Sequence, residues 1–458
     1  MAKTYDLTKG NVTSLILRFY FPMFFTNLLQ QVYTMADTAI VGAGLGDDAT
    51  GAVGNMSSLT FLIIGFSLGL ANGFCVTVAQ KFGAKDYIAL RKAIASSIKL
   101  AIILTVILTT VSLIFLKPIL ILLQTDEILI DRSLTYGYII FGGLFSSVAY
   151  NLCAGILRAL GDSKTPLIAI IVSSVINVGL NSVTIFLMHT DVEGPAYATV
   201  IAQIFSAFIC FNKLRKIEII RLTFEDFRTD IAMYINLMKN GIAMALMNSI
   251  TAVGSMVIQF YVNDFGPDYT TAYSVCMRYL NLFMDPACTA GFTMSAFTSQ
   301  NYGAGKYHRI RQGFKVCMTI ALVTYLTLGS LMIFIPETLA GLILNKPETI
   351  AIACIYLPIS GVTLWAVDFL FVYRSAVQAM GKPFIPMCSG IVEMVMRVGV
   401  MIAFISPLGF RATAIAGASA WVGALLLNGG AFYYFLGKKL RNSEGSSSYA
   451  KKTPLHCK

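Results

Sequence analysis

Charge is the scarcest thing in this chain. Only 12% of its 458 residues are Asp, Glu, Lys or Arg, where a soluble domain carries about a quarter, so a soluble globular protein is excluded. Histidine is nearly absent. His189, His308 and His456 all fall in predicted loops or in the tail. The nine cysteines, Cys75, Cys153, Cys210, Cys276, Cys288, Cys317, Cys354, Cys388 and Cys457, are scattered, with no CxxC pair and no Cys/His cluster. That spacing argues against a disulfide framework and against a zinc or iron centre, and no cofactor or metal is expected. There is no Walker A string, which excludes an ATP-driven pump acting alone, and no HExxH helix for zinc chemistry. The glycine-rich Gly42–Gly46 ends an apolar run with no strand before it, and reads as a flexible span end, not a nucleotide loop. The polar start, Met1 to Gly10, leads into an apolar run too long for a signal peptide and lacking a small-residue cleavage site, so no cleavable signal is expected.

What the chain has is apolar length. Hydrophobic residues make up 56% and mean hydropathy is +0.72. Runs long enough to cross a bilayer recur from end to end, and they lack the alternating segments of about ten residues that a membrane β-barrel requires. The expected fold class is therefore an all-α membrane protein. Twelve spans are expected, at 15–43, 52–80, 93–117, 133–158, 165–188, 194–213, 235–263, 270–299, 313–336, 351–380, 384–406 and 411–437. The net charge of +11 is a topology signal. Of 34 lysines and arginines, 25 lie in the termini and in alternate loops, against four (Lys117, Arg132, Lys346 and Arg411) in the opposite loops. The positive-inside rule then puts both termini in the cytoplasm, with a multi-pass protein of the inner (plasma) membrane, and removes the nucleic-acid reading.

An internal repeat organises the spans. Gln80-Lys-Phe-Gly-Ala-Lys-Asp-Tyr87 with Arg91 returns as Gln300-Asn-Tyr-Gly-Ala-Gly-Lys-Tyr307 with Arg311, a shift of 220 residues. The same shift carries Gly161 to Gly381, Pro166 to Pro386, Val178-Gly179 to Val398-Gly399, and Ala196 to Ala416. The chain reads as an amino-terminal lobe, 1–214, a cytoplasmic linker, 215–230, a carboxy-terminal lobe, 231–438, and a polar tail, 439–458, expected to be disordered. Two six-span copies that enter the membrane in the same direction are related by a pseudo-two-fold axis along the membrane normal, a plan of secondary transporters.

Against that scaffold a few polar groups stand out. Asp37 lies in span 1, fifteen residues after Pro22. An ionised group at mid-membrane costs at least about 2.5–3.5 kcal/mol and usually faces a cavity or a partner, while Pro22 removes a backbone donor and bends a helix. Tyr33 precedes Asp37 by one turn. Asp37 is a candidate to load and release a cation; the plainer reading is a carboxylate hydrogen-bonded to a neighbouring span. Asn177 and Asn181, at i and i+4, share a face of span 5, and Thr199 opens span 6; they offer oxygen ligands for a monovalent cation, or interhelical hydrogen bonds alone. Glu393 and Arg397 are spaced for an ion pair on span 11. Asp285 and Asp368 have no local partner, with Arg278 and Arg374 the candidates across spans. The second half's polar groups, Asp285, Asp368, Glu393 and Arg397 with Tyr33 of the first, are candidates for a substrate cavity or for gating. Lys99 and Lys239 lie near span ends, placed to snorkel.

On Asp6-Leu7-Thr8…Gly10-Asn11, Pro22 with Asp37, VAQKFGAKD at Val78–Asp86, LRALGDSKTP at Leu157–Pro166, the Asn177 region, and Ala198-Thr199-Val200-Ile201-Ala202-Gln203, the chain resembles the MATE family of multidrug and toxin extrusion transporters over residues 5–438. The resemblance implies a V-shaped pair of lobes and multidrug efflux of amphipathic cations by antiport against H+ or Na+. It also implies a coupling role for Asp37, with Asn177, Asn181 and Thr199 as the further members of a cation site. The family often carries Asp where this chain has Asn181, so this site has one negative charge fewer, and both ions stay open. A second branch uses acids in spans 7 and 10; Asp368 is near the latter place, and span 7 offers no acid. The other readings are a flippase for a lipid-linked saccharide, and a channel, receptor or membrane-bound enzyme. Substrate partners are small-molecule drugs or amphipathic metabolites, with membrane lipid around them. Nothing in the chain demands more than a monomer.

Overall fold

The computed structural model describes residues 6–122 and 127–452. The twelve expected spans fall on helices α1 (Val12–Gly46), α2 (Gly51–Gly83), α3 (Tyr87–Leu122), α4 (Glu127–Gly142 continued by Leu144–Ala159), α5 (Lys164–Leu187), α6 (Glu193–Arg215), α7 (Ile231–Asp264), α8 (Pro267–Gly303), α9 (Tyr307–Phe334), α10 (Pro347–Ala379), α11 (Phe384–Leu408) and α12 (Arg411–Lys452). Ten are single helices long and apolar enough to cross a membrane. The two parts of α4 qualify as one span bent by 43°. The twelfth, α8, is 37 residues long but carries Arg278, Asp285 and a buried run of threonines, so length and not hydropathy marks it. No strand occurs among the described residues.

Gly46, at φ 82°, separates α1 from α2. That left-handed value suits glycine and fits the reading of Gly42–Gly46 as a span end. The string Gly65-Phe-Ser-Leu-Gly69 spells the GxSxG of hydrolases, but it lies inside α2, where the buried Ser67 Oγ donates to Ile63 O at 2.9 Å. The strand-to-turn geometry that exposes a nucleophile is therefore missing. Two helices widen into π turns, at Val183–Leu187 in α5 and Tyr325–Gly329 in α9. At the far end, α12 continues to Lys452, the last of the described residues. An established helix adds one hydrogen bond per residue it extends. Residues 453–458, with His456 and Cys457, lie outside the described residues, as does Lys3.

The chain forms two compact units. The first holds residues 17–249 and the second holds 7–16 together with 250 onward. The division is not at the 215–230 linker that composition marks. The first part of α7 packs on α2 within the first unit. A Cβ on Gly69 would meet the Ala245 backbone at 2.7 Å, and Gly241 sits against Phe74. Asn240 Nδ2 donates to Thr77 Oγ1 at 3.2 Å, and Asn248 Nδ2 to Gly65 O at 3.3 Å. Small residues permit the close backbone approach, and the amides join the helices where no water competes.

In the first unit one core cluster gathers Val41, Met56, Leu116, Leu120, Tyr136, Phe141 and Ile185; another gathers Val78, Phe82, Leu90, Leu157, Ile170 and Ile220. α3 contributes least, exposing Ile103, Val106, Ile107, Val111 and Ile114, a stripe at helical spacing that suits lipid. The second unit has one large core, including Tyr273, Leu280, Phe283, Tyr356, Leu364 and Trp421.

The linker is built, not slack. Thr223 N and Oγ1 both donate to Asp226 Oδ2, at 2.8 and 2.9 Å, and Arg91 Nε donates to Asp226 Oδ1 at 3.4 Å. Lys99, expected to snorkel, donates to Phe227 O at 3.0 Å. Burial works against the Asp226 charge, but the Thr223 donors and the Arg91 guanidinium outweigh it and hold the carboxyl below its usual range. A depressed value means that this docking is at full strength from neutral pH down to the ordinary carboxylate range and is lost below it, under about pH 4. Asp226→Asn is expected to raise amide hydrogen exchange across 217–230 at pH 7, and to remove its acid sensitivity.

Candidate functional site

Three helices of the first unit converge on Asp37. Asn177 and Asn181 share one face of α5 and are fully buried. Asn181 Nδ2 donates to Asp37 Oδ1 at 2.5 Å and to Asn177 Oδ1 at 3.0 Å. Asn177 Nδ2 lies 3.3 Å from Thr199 Oγ1 on α6. With the Asn177 amide turned over, its oxygen accepts from Tyr33 Oη at 3.2 Å and from Thr199 Oγ1 and N at 3.3 Å, and its nitrogen donates to Asp37 Oδ1 at 3.1 Å. The amide thus pairs with the carboxylate in one orientation and with its fellow amide in the other. Asn181 Oδ1 is buried without a hydrogen-bond partner. A buried orphan acceptor beside a carboxylate is costly and is the kind of oxygen a cation takes.

Local structure sets this up. Just after Asn181 the helix widens, with Met188 N donating to Val183 O at 2.9 Å. Such turns often mark functional positions. Gly44 packs against Ile185 and Phe186 of that turn with no room for a side chain, so α1 and α5 touch closely beyond Asp37. Among the described residues no lysine or arginine pairs with Asp37. Tyr136, on α4, is a neighbour that sequence reasoning missed; it is buried in the core cluster that also holds Val41 of α1 and Ile185 of α5. Nothing in its spacing signals this. α1 runs through Pro22 as continuous helix, and Thr26 Oγ1 donates to Pro22 O at 2.7 Å.

In the second unit Glu393 pairs with Arg397 Nη2 at 3.4 Å, as the spacing predicts, and also with Arg374 Nη2. Arg397 Nη1 reaches Thr251 O at 3.2 Å, and its side chain lies against Gly254. Arg374 therefore serves Glu393, and Arg278 is exposed; neither pairs with the two aspartates. Asp368 is fully buried with neither carboxyl oxygen hydrogen-bonded, and Asp285 Oδ2 is likewise unpartnered. A carboxyl in that setting needs a proton or a cation as its partner. No cluster with metal-binding spacing occurs among the described residues, and all their cysteines are free.

Polytopic helices that bury carboxylates and an unpartnered amide oxygen are an arrangement suited to a membrane transporter. The comparisons agree. The MatE family profile matches residues 22–183 and 243–405, one segment in each half of the repeat, and the chain belongs to that family. The probable multidrug resistance protein YoeA of Bacillus subtilis (strain 168) is 30% identical over 374 residues, 79% of this chain and 80% of its own. YpnP of the same organism, also described as a probable multidrug resistance protein, is 30% identical over 67% of this chain and 69% of its own. A crystal structure of MATE in the bent conformation superposes with a TM-score of 0.87 at 21% identity, covering 97% of this chain and 100% of that one, so the fold is the MATE fold.

Proposed function

We propose that this protein exports amphipathic, cationic small molecules across the plasma membrane in exchange for H+ or Na+, by alternating access, with both termini in the cytoplasm. The observation that carries this is the Asp37 carboxylate, hydrogen-bonded to a fully buried Asn181 whose own carbonyl oxygen has no partner. Asp37, Asn177, Asn181 and Thr199 supply carboxylate, amide and hydroxyl oxygens suited to a hard cation. A proton on Asp37 would instead convert the charge-assisted bond from Asn181 into a weaker neutral one. Either event changes how α1 is held to α5, and Pro22 gives α1 a place to bend. Tyr33 stands beside the cation and next to the substrate path. Asp285 and Asp368 are a second acidic locus, for substrate or gating, while Glu393 with Arg397 and Arg374 is the scaffold that braces it. The naming of the relatives YoeA and YpnP supports the multidrug class.

The test is uptake of a fluorescent amphipathic cation into vesicles holding the purified protein, under an imposed proton or sodium gradient. Accumulation that follows one of the two gradients is expected. No accumulation under either one overturns the reading.

A further inference from the structure

The repeated motif at Gln80–Arg91 and Gln300–Arg311 has no part in the cation site, yet the second copy grips main chain and the first packs on the linker. Within the second unit, Gln300 and Asn301 are fully buried. Gln300 Oε1 accepts from Leu7 N at 2.9 Å, and Asn301 Nδ2 donates to Leu7 O at 3.2 Å. Lys306 Nζ donates to Thr8 O at 2.8 Å. Arg309 donates to Leu7 O at 3.2 Å and to Gly10 O at 2.9 Å, while its Nε holds Asn301 Oδ1 at 3.1 Å. Leu7, Thr8 and Ile16 are buried, and Ile16 lies near Gly313, on the first turns of α9. Asn11 then caps α1, its Oδ1 accepting from Ser14 N at 3.1 Å. Residues 7–16 belong to the second unit, although the helix they begin continues from Leu17 in the first.

The 220-residue shift carries Leu7 to Phe227. In the first unit the Phe227 carbonyl is also held by a side chain, Lys99 of α3, the counterpart of α9. Beside it Arg91, the counterpart of Arg311, holds Asp226, and Ile217 and Ile220 pack with Phe82 and Leu90 of the first motif. So in both copies the carbonyl at the same repeat position is fixed by the other sequence half. The chain passes from the second unit to the first between Ile16 and Leu17, and back between Ser249 and Ile250.

We propose that the lead-ins of the two halves are exchanged: residues 7–16 are a strap docked on the Gln300–Arg309 motif, residues 217–236 are its counterpart on the first motif, and the first strap leaves its dock during the transport cycle by pivoting at Ile16–Leu17. The motif is a strap dock. The swing rests on the transport reading; the exchange of lead-ins does not.

The test places spin labels at two exposed positions, Lys9→Cys on the strap and Gln312→Cys on α9, in the full-length protein with its native cysteines replaced. A short distance population is expected at rest, with a second, longer one appearing when an amphipathic cation and the coupling ion are supplied. Arg309→Ala, which removes two bonds from a charged donor, should enrich the long population by about tenfold or more. A reversible thiol cross-linker between the same two cysteines should stop vesicle uptake, and reduction should restore it. A single distance that neither ligands nor Arg309→Ala changes overturns the proposal, as does cross-linked protein that transports at the free rate. If the uncross-linked protein moves no cation under either gradient, the transport reading has failed, and the Arg309 dependence of the distance still decides the exchange.

Discussion

Asp37→Asn is expected to abolish gradient-driven efflux while leaving the protein folded and in the membrane. The substitution keeps the size of the side chain and still offers an acceptor to Asn181 Nδ2, so the α1–α5 contact survives. What it removes is the charge and the proton-binding group. An amide neither titrates nor balances a cation, so loading the site no longer changes how α1 is held. Cells carrying the variant should be as sensitive to amphipathic cations as cells lacking the protein, with equal amounts of variant and wild type in the membrane. Asn181→Ala should give a partial loss, because Asp37 keeps Asn177 as a donor in one amide orientation. Full efflux by Asp37→Asn would move the coupling elsewhere, and Asp368 would be the next group to examine.

The second large effect concerns stability. Glu393 is 2% exposed and stands between Arg374 and Arg397, themselves 8% and 5% exposed. Two guanidiniums share one carboxylate. Glu393→Ala leaves both buried and uncompensated, and breaking a buried pair this way costs roughly 3–5 kcal/mol. Thermal unfolding in detergent should shift to clearly lower temperature, with poor recovery from the membrane. The cost comes from the stranded charges and not from lost attraction. The triple replacement Glu393→Leu with Arg374→Met and Arg397→Met should therefore regain most of the stability, since an apolar trio of similar volume has nothing left to desolvate. Glu393→Ala with wild-type thermal stability would show that the triad is no brace.

What the sequence revealed and what it hid follow one physical line. Contacts along one helix are fixed by its 3.6-residue period, so Glu393 with Arg397 and Asn177 with Asn181 were legible from spacing alone. Contacts between helices depend on packing that no spacing encodes. Asn181 meets Asp37 across 144 residues and Glu393 meets Arg374 across 19. Arg374 was a candidate partner for the two aspartates, and the fold gave it to Glu393 instead. The spans were legible because lipid demands long apolar runs, and even the polar α8 announced itself by length and by its place in the repeat. The π turn at Val183–Leu187 was not, since no proline or glycine marks it. The place of Tyr136 and the role of Gln300–Arg309 also stayed hidden, because both depend on segments far away in the chain.

The most direct measurement is cation release by the purified protein in weakly buffered detergent solution, with no membrane and no gradient. An amphipathic cation is added while free H+ and, in sodium-loaded samples, displaced Na+ are recorded. Wild-type protein should give up one of these two ions as the compound binds, and Asp37→Asn should give up neither. Equal release by the variant, or compound binding by the wild type with no ion leaving, would contradict a cation held at Asp37.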